Sequence, residues 1–307
     1  MSARTAQNVD STVSLEQAYR HCEAMVRSHY ENFPVASWFL PRASQHHLFA
    51  VYAFARTADD FADEAEYEGR RLELLDEWEH HLEAGLQGRS AHPVFVALAH
   101  TVRSCSLPVD ALHHLLEAYR MDVERSRHAD WDALLHYCSR SANPVGRLVL
   151  AIFGRHDPAL LPLSDAVCTG LQLANFWQDV AVDLQKDRIY LPVDALQRHG
   201  VTEASLRAAE AGKPFQALLQ EMIGRTREVF AQGRALPDHL GGALSFHLRL
   251  VWLGGSSILD RIEACDYDVF RRRPALKKRH RLALAGRALA GFLRPGAGRR
   301  LRAGSSV

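Results

Sequence analysis

Asn175-Phe176-Trp177-Gln178-Asp179-Val180-Ala181-Val182-Asp183 is the stretch on which the fold and the chemistry of this chain turn. On a helix, Asn175, Asp179 and Asp183 stand at i, i+4 and i+8 and line one stripe. Leu171, Leu173 and Phe176 lie on or before this turn, and Val180 and Val182 interleave. An apolar surround encloses the stripe, and unpaired carboxylates in an enclosed place are costly. Oxygen ligands at that spacing suit a hard divalent cation such as magnesium, which combines carboxylates with substrate phosphates. The bland alternative is a solvated acidic face, which the apolar flanks argue against.

A second acidic pair lies more than 110 residues upstream, in Arg56-Thr57-Ala58-Asp59-Asp60-Phe61-Ala62-Asp63-Glu64. Asp59 and Asp63 share a helical face with Cβ atoms roughly 5–6 Å apart, where like charges destabilise an isolated helix. Acidic residues favour a helix's start, whereas this cluster falls near an end. Asp59, Asp63, Asn175, Asp179 and Asp183 are therefore the candidate metal ligands. Arg56 lies one turn before Asp59, with Tyr52 a further turn back, and Arg188 follows the second stripe. Arginine forks suit phosphate oxygens. Arg188 could equally serve to neutralise its acidic neighbours. The doublets His46-His47, His80-His81 and His113-His114 diverge by about 100° on a helix and chelate poorly. They read as surface or satisfied core histidines.

Helical periodicity continues through almost every other segment, without a convincing strand alternation. Ser14-Leu15-Glu16-Gln17 is a capping box opening a helix toward Tyr30, which Asn32-Phe33-Pro34 breaks. Ser44 is predicted to cap a second helix ending at about Glu64. Further helices are predicted near 69–85, 92–104, 108–123, 130–153 (interrupted by Pro144), 158–184, 202–234, 239–265 and 275–293. No linker or repeat divides them. The prediction is one all-α domain over 1–307, a helical bundle ordered over about 14–293 with a basic tail, 294–307.

The 307 residues are 47% hydrophobic and 24% charged, a globular balance. Without 18 consecutive apolar residues a membrane span is not expected, and Met1 to Asp10 lacks the apolar run of a signal peptide. The five cysteines are scattered and odd in number, with no CxxC spacing, so neither disulfides nor zinc are expected and the protein reads as cytoplasmic. No Asp or Glu follows Asp268, while 12 Lys and Arg lie between Arg271 and Arg302, leaving 25 of the 37 basic residues to face all 36 acidic ones in the body. Such a tail suits peripheral contact with an anionic membrane; the alternative is a solvated last helix. Nucleic acid is not an expected partner, since Phe292 is the tail's one aromatic.

The paired motifs resemble the squalene and phytoene synthase family, from about His29 to Arg272. The resemblance implies an all-α isoprenoid-synthase bundle with a central cleft, in which Asp59 and Asp63 face Asn175, Asp179 and Asp183 across magnesium and a prenyl diphosphate. It places Tyr52, Arg56, Gln172 and Arg272 at diphosphate-contacting positions, and His29 and Phe33 in an early substrate motif. Tyr137, one turn before Arg140, is the phenol expected to handle a proton. Gln178 stands where condensing members usually have arginine, Ser141-Ala142-Asn143 replaces a Val-Ala-Gly pattern, and Gly254-Gly255 stands where tyrosine is frequent.

These departures resemble the hydroxysqualene synthase branch of bacterial hopanoid pathways. The implied reaction is magnesium-dependent ionisation of presqualene diphosphate, rearrangement, and capture of water. Gly255 is expected to open space for that water, and Gln178 or Asn143 to hold it. Phe33, Phe54, Phe61, Phe153 and Phe176 are candidates for an aromatic lining, about two of which should face the cation. The rivals are a head-to-head prenyl diphosphate condensing enzyme and a synthase-like assembly factor without catalysis. The latter should have eroded its acidic stripes, and these are whole.

Overall fold

A computed structural model of the chain describes residues 13–28, 41–124 and 126–292. Among them are thirteen α-helices and no strand, only an isolated bridge between Arg127 and Ile189. The organising element is α8, Leu161–Asp183, whose buried residues include Leu173, Ala174, Phe176, Trp177 and Val180. A helix apolar on most of its circumference must be wrapped by others, and α8 packs on α6 (Trp131–Ser141), α7 (Asn143–Ile152), α11 (Lys213–Gly233) and α12 (Gly242–Ala264). Trp177 is fully buried, and its indole N–H donates to Thr226 Oγ1 of α11 at 2.8 Å. That bond satisfies the one polar atom of a large apolar side chain and fixes the α8–α11 register.

The other half of the bundle gathers on α2, Arg42–Asp63, which packs against α1 (Leu15–Ser28), α3 (Arg71–Leu86), α4 (Pro93–Cys105), α5 (Val109–Glu124) and α7. Ala50, Ala53, Ala58 and Ala62 are all fully buried on α2, so neighbouring helices approach it closely. The predicted capping box is present: the Ser14 N–H donates to Gln17 Oε1 at 3.0 Å and the Gln17 N–H to Ser14 Oγ at 3.3 Å.

Three boundaries differ from the prediction. Helix α2 starts at Arg42 behind Pro41, not at Ser44, because proline already has a helix-compatible φ and the Ser44 N–H bonds to the Pro41 carbonyl at 2.9 Å. The 130–153 run divides at Ala142, with Pro144 in the first turn of α7, where its missing N–H costs nothing. The 202–234 run divides too. A reciprocal Thr202–Ser205 box opens α10 (Glu203–Arg207), and α11 restarts after Gly212 with Pro214 in its first turn. A short α9, Val193–Arg198, and a last helix, α13 (Lys278–Phe292), complete the set. The histidines of α2 are half-buried, and His47 is satisfied: its Nδ1 lies 2.9 Å from Thr101 Oγ1 and 3.2 Å from the Tyr19 hydroxyl. No helix among the described residues is long and apolar enough to cross a membrane.

Candidate active site

The C-terminal ends of α2 and α8 meet through the segment that follows α8. After Asp183 one 3-10 turn ends at Asp187, whose φ of 56° is left-handed and turns the chain back. Lys186 and Arg188 thereby reach the other acidic helix: Lys186 Nζ lies 2.8 Å from Asp63 Oδ2, and an Arg188 Nη donates to Asp63 Oδ1. The two rows, distant in sequence, thus share one electrostatic centre.

The titration behaviour of the carboxylates reports the same proximity. Asp59 is pushed up to about 6, first by burial and then by the negative charge of Asp63. It keeps an open edge toward solvent while protein encloses its other sides. Asp183 is pushed up to about 7 by burial and by Asp179, with Asp63 adding to the shift from across the centre. Burial acts to raise Asp63 as well, but hydrogen bonds from Arg188 and Lys186 outweigh it and hold that carboxyl below its ordinary range.

Each acidic residue has a cationic neighbour. Arg56 Nη1 lies 3.0 Å from Asp59 Oδ2, and its Nη2 pairs with Asp60. Arg273 forks onto Asp179, its Nε to Oδ1 and its Nη2 to Oδ2 at 3.0 Å. Arg273, one residue beyond the predicted Arg272, thus meets the second stripe, and both arginines are exposed. Asp266 and Tyr267, with φ of 53° and 61°, wind the chain after α12, and this turn sets which arginine points inward.

The structure adds a carboxylate that the motif reading missed. Asp122, on α5, accepts a 2.8 Å hydrogen bond from the Tyr137 hydroxyl and feels the charges of Arg188, Asp63 and Asp59. Burial pushes it up to about 7. Tyr137 itself is buried among the rings of His128, Tyr190 and Phe176.

Beside the second stripe, between α7, α8 and α12, lies a cavity of about 430 Å³ whose lining includes Val145, Leu171, Gln172, Asn175, Gln178 and Ile258. Asn175 is exposed at its mouth. Gln178 also spends its amide N–H on the Pro274 carbonyl, tying the Arg273 segment to α8. Asn143 is occupied elsewhere, accepting from Thr169 Oγ1 at 2.8 Å, and does not line this cavity. None of Phe54, Phe61, Phe153 and Phe176 lines it either: Phe54 stacks on Trp78, and Phe176 stacks on Tyr190 with centroids 3.8 Å apart. Gly255 lines this cavity too, but its own Cβ position is closed. A Cβ there would lie 2.6 Å from Phe230 Cζ and 2.7 Å from Leu171 Cδ2, so those side chains already fill the place. Tyr52 and Arg56 are half-buried on the site end of α2. His29 and Phe33 lie outside the described residues.

Residues 26–280 match the family model described as squalene/phytoene synthase. The chain belongs to the squalene/phytoene synthase family. This member is 39% identical over 209 residues to a hydroxysqualene synthase of Rhodopseudomonas palustris, covering 67% of this chain and 70% of that one. It is 30% identical over 290 residues to a phytoene synthase of Arthrospira platensis, covering 87% and 92%. The crystal structure of squalene synthase HpnC from Alicyclobacillus acidocaldarius superposes with a TM-score of 0.79 at 40% identity, over 82% of this chain and 95% of that one. The fold is the all-α bundle of isoprenoid synthases, and the family is one of enzymes that process prenyl diphosphates.

The donor set can be judged for a metal on its own chemistry. Among the described residues no three acidic, histidine or cysteine side chains converge into a ready-made ion site. Yet among the described residues Asp59, Asp60, Asp63, Asp122, Asp179 and Asp183 gather with Arg56, Lys186, Arg188 and Arg273, six carboxylates beside four cations. Burial raises Asp59 and Asp183 first, and the negative charge of Asp63 and Asp179 adds to it. An all-oxygen set with surplus charge fits a hard divalent cation.

Proposed function

We propose that the enzyme is a hydroxysqualene synthase: it ionises presqualene diphosphate, and the rearranged carbocation is captured by water to give hydroxysqualene and diphosphate. Asp59, Asp63, Asn175, Asp179 and Asp183 would hold magnesium, which supplies Lewis-acid neutralisation of the departing diphosphate. Arg56, Lys186, Arg188 and Arg273 offer charge-assisted donors to the phosphate oxygens, where negative charge grows as the C–O bond breaks. Tyr52, Gln172 and Arg272 are further candidates for the diphosphate end, and Tyr137 for the proton released by the captured water. The cavity beside Asn175, with Val145, Leu171 and Ile258 in its wall, suits a hydrocarbon chain and shields a reactive cation from bulk water.

The observation that carries this reading over a condensing enzyme is Gln178. At a position where the resemblance implies arginine in condensing members, α8 presents an uncharged amide already engaged by Pro274. A second diphosphate would find no cation there. The similarity to hydroxysqualene synthases supports the same reading, whereas the similarity to phytoene synthases favours two-substrate condensation as the second reading.

Purified protein with magnesium is given presqualene diphosphate, with and without reduced nicotinamide, and separately farnesyl diphosphate. Mass spectrometry should find a C30 alcohol from the first substrate without reductant. A hydrocarbon formed only with reductant, or turnover of farnesyl diphosphate alone, refutes the assignment. The same reading has Asp59→Asn and Asp179→Asn abolish this turnover in folded protein. We also propose peripheral contact of the basic tail with anionic lipid, which 294–307, outside the described residues, would make beside the exposed Leu282 and Leu289 of α13. Co-sedimentation with phosphatidylglycerol vesicles, lost on deleting 294–307, tests it.

A further inference from the structure

Tyr137 is a phenol with a single proton, buried so deeply that its ionisation is pushed well above the ordinary range, first by burial and then by the Asp122 charge. A hydroxyl in such a place is free to rotate unless an acceptor fixes it, and a buried donor left unpaired is costly. Asp122 Oδ2, 2.8 Å away, is an acceptor for it, and the Tyr190 hydroxyl is a second hydrogen-bond partner of the phenol. The carboxylate comes from α5 and the phenol from α6, so the bond ties two helices at the edge of the acidic centre. On the other side of Asp122 stands the charge of Arg188, itself paired with Asp63 of α2. Behind Tyr137, the Tyr190 ring stacks on Phe176, which lies on α8, the helix that carries the second stripe. One carboxylate therefore connects the phenol with both acidic helices.

We propose that Asp122 is a positioning residue for Tyr137: by accepting the phenol's hydrogen bond it fixes the rotor, leaving the phenol oxygen as an acceptor. The role rests on the proposed function of Tyr137, and Asp122 need not touch substrate. An acceptor that works through geometry is replaceable by the isosteric amide, whose oxygen accepts the same bond; an acceptor that works by charge or as an ion ligand is not. The bond also makes the two residues one unit, so removing both should cost little more than removing one.

The test measures diphosphate release for Asp122→Ala, Asp122→Asn, Tyr137→Phe and the double variant D122A/Y137F, with circular dichroism and Tm recorded for each. The expected result is a kcat reduced about 10- to 100-fold in D122A, on the scale of losing one proton-handling group, with KM within about twofold of the parent. D122N should recover most of the rate, and the double variant should match Y137F. The inference is overturned if D122N is as impaired as D122A, or if the two single losses multiply in the double variant. Parental activity in D122A beside an impaired Y137F overturns it while leaving the proposed function standing. Parental activity in Y137F removes the phenol's role and the inference with it.

Discussion

Replacing Gly255 by alanine separates two accounts of why glycine stands there. As a spacer that opens room, it could accept a methyl group and gain helix propensity, worth about 0.5–1 kcal/mol on changing glycine to alanine in a helix. The structure says otherwise. The added Cβ would sit 2.6 Å from Phe230 Cζ and 2.7 Å from Leu171 Cδ2. Leu171 has a flexible tip, but the Phe230 ring has no retreat: its Cγ, Cδ1 and Cδ2 atoms lie 2.8, 2.9 and 3.0 Å from where a Cβ on Gly170 would be, so its other edge already rests against α8. Forcing a methyl into a full core costs about 1–3 kcal/mol. After the propensity gain the net loss is roughly 1–2 kcal/mol, a Tm drop of about 1.5–3 °C at this size. Gly254, one residue away on the same helix, meets only Leu276 Cδ1 at 3.8 Å, and Gly224 of α11 meets nothing within 4 Å. Alanine at either should raise Tm slightly. Differential scanning calorimetry of the three variants decides the matter, and a G255A Tm at or above that of G254A would refute the packing argument.

The late arginines offer a second check. Arg273→Gln breaks the fork on Asp179 and should lower turnover about tenfold or more, while Arg272→Gln should stay within about twofold of the parent; steady-state kinetics showing the reverse order would restore Arg272 as the site residue. A third check is acid stability. Burial, followed by the charges of His46 and His100, lowers His47 to about 4. With the folded value below the unfolded 6.5, the unfolded chain binds the extra proton, so stability present above pH 6.5 is lost as pH falls toward 4. Since His47 is partly solvated, its share should be on the order of 1 kcal/mol. Urea unfolding at pH 7 and pH 5 should show a smaller acid loss for His47→Gln than for the parent, and an equal loss would count against the burial argument.

Local regularity made part of this molecule readable and stopped at definable points. The two carboxylate rows were visible because a helix converts a four-residue spacing into a face, and a helix is what both segments form. Asp122 was invisible because a single acidic residue on α5, Tyr119 one turn before it, looks like any solvated face; only the packing of α5 on α6 brings it to Tyr137. Arg272 and Arg273 were inseparable because the turn at Asp266 and Tyr267 has no period to extrapolate. Gly255 was legible only in part for a related reason: it lines the cavity, but its Cβ position is filled. The absence of a side chain reads as space, while its meaning depends on Phe230, 25 residues earlier and on another helix. The phenylalanines were ambiguous because aromatic residues serve a core as readily as a cation: Phe54 packs in the core, while Phe176 stacks on Tyr190 and lines a small cavity beside Asp183 and Arg188.

What joins the two acidic helices is the turn from Leu184 to Arg188, and its chemistry explains why the rows can stand in one folded protein at all. Six carboxylates brought together would repel one another in a poorly solvated place, and burial of each would oppose folding. Local pairing within α2 helps only there, through Arg56 with Asp59 and Asp60. The turn at Asp187 sends Lys186 and Arg188 from the end of α8 to Asp63 on α2, so the chain's own cations cross the gap between the rows. Arg273 does the same from behind α12, held there by the Gln178 amide on the neighbouring Pro274. Asp59 and Asp183, the two proposed ligands raised first by burial and then by a neighbouring carboxylate, are the least compensated of the set. A site neutralised completely by arginine and lysine would be stable and inert toward a divalent ion. One left short of positive charge at a carboxylate on each helix retains an affinity that a metal and a diphosphate together can satisfy.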